Sequence, residues 1–201
     1  QITMDAAHGT HLSNSLKELQ KLGVDAVALS GDAAVDGLTL SLGTEGLHDA
    51  VLGGLPSFGE TVNGQFVVGK GHVSLELGQV SDLTGDTDLA TDAGALNGHG
   101  IDQISLDVAD QAGFNSLFGE NGDLNETLAA DAASLHSAGV STVLDINDST
   151  HIASLNLSDV QAHELIGAGI DFAAQDQITM DAAQGTHLSN SLKELQKLGV
   201  D

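Results

Sequence analysis

The sequence predicts an α/β repeat protein, a solenoid of stacked strand–helix–strand coils. Three observations predict it: a long duplication, a shorter rhythm inside the duplicated unit, and no linker where the unit restarts. The stretch QITMDAAHGTHLSNSLKELQKLGVD at 1–25 returns at 177–201 with one change, His8 against Gln184. A match of that length sets the period at 176 residues. A fixed period is the sequence signature of stacked architectures. The reading is one full unit, 1–176, and the start of the next, 177–201, taken from a continuing array.

Inside the unit, a helical stretch, a glycine and a short β-like run recur. They stand at 13–32, 91–107, 125–148 and 158–176, and TEGLHDAVLGGL at 44–55 supplies a fifth helix. The closing glycines are Gly23, Gly100, Gly139, Gly169 and Gly199, placed to take the left-handed position that ends a helix at low steric cost. In the first helix Leu12, Leu16, Leu19 and Leu22 form one apolar stripe at helical spacing. Ser15 and Glu18 have capping-box spacing there, with Ser13 as the rival cap. Ser158 and Gln161 repeat the box in the fifth helix, and Asn125 or Thr127 starts the fourth, with Leu128, Ala132 and Leu135 turned inward.

The strands follow from alternation of apolar and polar residues. Leu38, Leu40 and Leu42 alternate with Thr39 and Ser41, and Val73, Leu75 and Leu77 alternate with Ser74 and Glu76. Val24 to Leu29, Ile152 to Leu157, and Ile178 with Met180 complete the set. Strands joined by helices at intervals of about 35 residues suggest parallel pairing through crossovers. A unit so short buries its apolar face only by stacking on neighbours. The alternative is a compact α/β domain strung with its copies as beads. AAQDQITMDAA crosses residue 176 without Pro- or Ser-rich spacing, which favours the solenoid.

Residues 55–85 break the rhythm. They hold the only proline, Pro56, and read as an insertion or β-hairpin. Insertions in repeat proteins map to one face and often carry contacts.

Composition narrows the function. There are 29 acidic residues against 5 Lys, for a net charge of −24. Binding to nucleic acid or to an anionic membrane surface needs the opposite sign. No apolar run approaches the roughly 18 residues of a membrane helix. There is no Cys, so neither disulfides nor thiolate metal sites arise. Aromatics are 2%, all Phe, which argues against sugar stacking and for thin aliphatic layers. Nucleophile-elbow, HExxH and phosphate-loop motifs are absent, and without Arg there is little to stabilise developing negative charge. The reading is therefore not an enzyme, with no cofactor other than a calcium ion.

Calcium prefers oxygen ligands presented at turns. Three clusters offer them: Asp82, Asp86, Asp88 and Asp92; Asp123 and Asn125 with Asn121 and Glu126; and Asp145 and Asp148 with Asn147. None matches an EF-hand or a calcium β-roll nonapeptide. Asp and Asn are also ordinary turn and cap residues, and that role accounts for any single cluster before calcium does. A two-His site at His8 and His11 does not survive the change to Gln184, and the other histidines are scattered singly. Asp25, Asp102, Asp171 and Asp201 each follow a closing glycine by two residues and read as a structural ladder.

The unit SLKELQKLGVDAVAL, in an acidic, Cys-free, Gly- and Asp-rich tandem setting, resembles the arrays of giant bacterial surface, filament and adhesin proteins. The resemblance implies an extracellular or cell-surface structural role, with further copies of the same repeat as partners. The alternative it implies is an adhesin segment whose 55–85 insertion contacts a ligand.

Overall fold

A computed structural model of the chain describes residues 3–6, 16–30, 37–42, 46–77, 80–86, 88–146, 155–173 and 178–180. The first part contains β1 (Thr3–Ala6), α1 (Leu16–Lys21), β2 (Ala26–Leu29), β3 (Leu38–Ser41) and α2 (Leu47–Leu52). Next come β4 (Ser57–Val62), β5 (Gln65–Val68), β6 (Val73–Leu77), α3 (Val80–Thr84) and α4 (Leu89–Gly98). Then follow β7 (Gln103–Val108), α5 (Gln111–Asn115), α6 (Glu126–Ser137) and β8 (Ser141–Ile146). The last described elements are β9 (Leu155–Leu157), α7 (Asp159–Ala168), β10 (Ile170–Phe172) and β11 (Ile178–Met180).

Helix ends form where the sequence places them. Asn125 Oδ1 accepts from the backbone N–H groups of Thr127 (3.0 Å) and Leu128 (3.2 Å), so Asn125 caps α6. Ser158 Oγ accepts from Gln161 N–H at 3.2 Å, and Gln161 Oε1 accepts from Ser158 N–H at 3.0 Å, completing the box that starts α7. Gly23, Gly100, Gly139 and Gly169 all have positive φ. The expected caps Ser13 and Ser15, and Ile152, Gly199 and Asp201, lie outside the described residues. The short helices α3 and α5 were not anticipated. Each has five residues and buries one large apolar side chain, Leu83 or Phe114, so neither carries a readable stripe.

The irregular stretch after Leu55 contains a hairpin. Val62 pairs with Gln65 across Asn63 and Gly64, whose φ values are 52° and 80°. Positive φ at both loop residues matches the handedness of twisted antiparallel strands. The same stretch also supplies β6 and α3 to the main body.

The architecture is mixed α/β, with parallel and mixed sheets. The main sheet has the order β10-β8-β7-β6-β3, and every neighbouring pair is parallel. A second sheet runs β1-β2-β4-β5, with only β5 antiparallel, and β11 pairs with β9. The two larger sheets approach each other at the entry to β7. There Phe58 N–H donates to His99 C=O at 2.7 Å, while Asp102 N–H donates to Val73 C=O at 3.1 Å.

Strand order in the main sheet follows chain order from β3 to β10 without reversal. The helices pack in the same sequence: α4 lies against α2 and α6, and α7 lies against α6. Register aligns Leu40, Leu75, Ile104, Thr142 and Ile170 in one buried row, and Leu77, Leu106, Leu144 and Phe172 in the next. Leu47, Leu89, Ala93, Leu96, Leu128, Ala132, Leu135 and Leu165 pack into the same core from the helices. Small aliphatic side chains in rows fit this layered packing, as the composition implied.

Candidate functional site

Helices α2 and α4 pack side by side and bring together groups far apart in the chain. Leu89, Asp92, Ala93 and Leu96 share the buried stripe of α4. Asp92 is thus a carboxylate at a core position, 3% exposed. A buried charge is costly unless it is paired. His48 of α2 supplies the partner: its Nδ1 lies 2.8 Å from Asp92 Oδ2, and its Nε2 lies 3.9 Å from Asp88 Oδ2. The hydrogen bond to Asp92 is the largest cause raising the His48 pKa. Burial opposes it, and the charges of Asp92, Asp88 and Asp86 add to the rise.

Asp86 closes the group from the turn between α3 and α4. Its Oδ1 accepts from Asp88 N–H at 2.9 Å. Its Oδ2 is enclosed and has no hydrogen-bond partner among the described residues. Burial pushes the Asp86 carboxyl up first, and the Asp92 charge pushes it further, against the Asp88 N–H and His48. Asp131 of α6 stands behind it. Asp131 Oδ2 is likewise enclosed without a partner among the described residues. Burial raises its carboxyl, with Asp86 as the second cause.

One ligand atom from each of His48, Asp86 and Asp92 lies within 4.8 Å of the others, so the three can share a single cation. Carboxylate oxygens suit calcium, whereas an imidazole nitrogen suits zinc, iron or nickel better. Without an ion, His48 and Asp86 can hold protons that offset the repulsion in the group.

The structure places the other sequence candidates elsewhere. Asp82 is in the first turn of α3 and is not one of the three clustered ligands. Asn125 Oδ1 is committed to its cap. Asp123 is exposed, and its carbonyl closes a turn by accepting from Gly119 N–H at 2.8 Å. Asp145 lies in register with Asp107 across β8 and β7. Glu76, in register with Ser105 two residues before Asp107, lies diagonal to that pair, and its carboxyl is raised by burial and then by Asp107 and Asp145. Asp148 is outside the described residues. Asp102 acts structurally, as its position after Gly100 suggested: Oδ1 accepts from Val73 N–H at 2.8 Å, and Oδ2 lies 2.7 Å from His72 Nδ1.

Sequence reasoning missed His48 and Asp131. His48 has no partner within its own segment. Asp131 does carry a signal, since it falls three residues after Leu128 and four before Leu135, beside the inward stripe of α6.

Fold and site together define a mixed α/β protein with a half-buried imidazole–carboxylate group at the seam of its helical layer. No protein-family model and no curated protein matches the chain.

Proposed function

We propose that the chain is a structural repeat of an extracellular filament or cell-surface stalk, built as a continuous α/β solenoid by end-to-end stacking. The observation that supports this reading is the order of the main sheet. Five parallel strands advance in chain order, and their helices advance with them. A doubly wound nucleotide-type sheet reverses direction at a switch point. A one-dimensional stack does not, and each added unit covers the apolar end of the last. The acidic coat keeps such fibres soluble. A divalent cation, calcium being the one the carboxylates suit, would neutralise part of the cluster at His48, Asp86 and Asp92.

Imaging of the native assembly tests the stack. About five coils at roughly 4.8 Å each advance the repeat by about 24 Å along the axis. An axial repeat several-fold longer would sink the solenoid and establish beads.

The hairpin supports a second reading, an adhesin segment. β5 is the outer strand of its sheet, and Val67 and Val68 are 36% and 41% exposed. A free strand edge with apolar side chains can pair with an extended ligand. Replacing 60–67 by a short turn is then expected to abolish attachment to the bound surface while the assembly stays intact. Unchanged attachment would leave the structural reading alone.

A further inference from the structure

The duplicated segment pairs with different strands in its two copies. Thr3 and Met4 are registered with Ala26 and Val27 of β2. Their counterparts Thr179 and Met180 are registered with Asn156 and Leu157 of β9. Both pairings are parallel. The sequence holds β2 once and β9 once, and each takes one copy of the segment.

Met180 is opposite Leu157, and Met4 is opposite Val27; Leu157 and Val27 are both 0% exposed. In β9 a slip of one residue would put Met180 beside exposed Asn156 instead of buried Leu157, whereas in β2 Ala26 and Val27 are both buried. Met4 and its copy Met180 each stand opposite a fully buried residue, and β2 and β9 each take the segment as a parallel neighbour.

We infer that the boundary strand is a joint, held on one edge by β2 of its own unit and on the other by β9 of the preceding unit. The second sheet then continues across the boundary as β9, β1, β2, β4 and β5, with β5 as its turned-back edge. The partner is a second copy of this repeat, and recognition is parallel strand addition. In the chain itself, the segment at 178–180 fills that edge of β9. This deepens the proposed end-to-end stacking and rests on it only for the role of the joint in a fibre. Beads linked by the same strand would keep the joint and lose the short axial repeat.

Disulfide trapping in the full 201-residue chain tests the joint, because the sequence has no cysteine of its own. Registered residues on neighbouring parallel strands lie about 4.8 Å apart, within disulfide range. Asn156→Cys with Thr179→Cys is expected to form a bond within one chain. Asn156→Cys with Thr3→Cys is expected to stay monomeric while β11 occupies β9. Adding Thr179→Pro, or Met180→Pro as a second variant, removes a ladder donor or a ladder position from β11. Either should convert the second pair into head-to-tail covalent dimers and longer ladders, with amide protection of residues 26–29 retained. Circular dichroism and amide protection of β6–β8 report whether the variants remain folded. The joint is overturned if the Asn156–Thr179 pair fails to close. It is also overturned if folded proline variants give no intermolecular product, or if that product forms only with loss of protection at 26–29. The last result would mean that β2 and β9 compete for one edge.

Discussion

Gly100→Ala is expected to cost about 2–5 kcal/mol, while Gly23→Ala, at an equivalent helix end, costs roughly 1–2 kcal/mol. Both glycines follow a helix and have positive φ, 84° and 66°. The left-handed backbone penalises any Cβ by roughly 1–2 kcal/mol at either site. The sites differ in what lies beyond. A Cβ on Gly23 would meet nothing within 4 Å. A Cβ on Gly100 would overlap the Phe58 carbonyl oxygen and lie 2.9 Å from Gly69 N. That carbonyl accepts the Gly69 N–H at 3.0 Å, and Phe58 N–H in turn donates to His99. Moving β4 away would break both links and disturb Phe58, which is fully buried. Such displacement is comparable to overpacking a core, about 1–3 kcal/mol more. Urea unfolding at constant m reports the difference as a shift in midpoint. Equal midpoints for the two variants would show that the sheets do not meet at Gly100.

The same glycine marks where the sequence stops being informative. Its role as a helix end was legible, because a helical stripe precedes it and an alternating run follows. Its second role, letting β4 pass close to the entry of β7, depends on residues some forty positions away. Local patterns likewise gave α6, α7, their caps and the parallel strands. They did not give α3 or α5, which are too short to show a period. The candidate site divides in the same way. Asp86, Asp88 and Asp92 are neighbours in sequence and were visible as a cluster. A further signal was available in α4, where Asp92 sits in register with Leu89, Ala93 and Leu96 and so had to be buried. His48 and Asp131 join only through the packing of α2, α4 and α6, which no local pattern encodes.

Acidification from pH 8 to about pH 5 is expected to stabilise the chain, against the usual behaviour of proteins whose carboxylates are paired. Asp86, Asp131, Asp171 and Glu76 all have carboxyls raised above their ordinary values, with burial the largest cause in each. A raised folded-state pKa means that the folded chain binds protons more readily than the unfolded chain. Stability from these groups is therefore complete below their ordinary values, 3.8 for Asp and 4.5 for Glu, and is lost as pH rises through the raised folded values. His48 acts in the same direction. Its contribution is present below 6.5 and disappears as pH rises through its raised value. General repulsion from a net charge of −24 weakens over the same interval. For a chain of this size, each kilocalorie per mole moves Tm by about 2–4 °C, so thermal unfolding followed at four or five pH values resolves the trend. Asp86→Asn and Asp131→Asn should each raise Tm at pH 7 and flatten the profile, because each removes a buried negative charge beside another. A divalent cation at neutral pH should give the same relief through the cluster, and His48→Ala should weaken the response to zinc more than the response to calcium. A Tm that falls steadily from pH 7 to pH 5, with no response to either ion, would show that Asp86, Asp131 and Asp92 are solvated separately. The cluster at the seam of α2, α4 and α6 would then carry no strain for protons or metal to relieve.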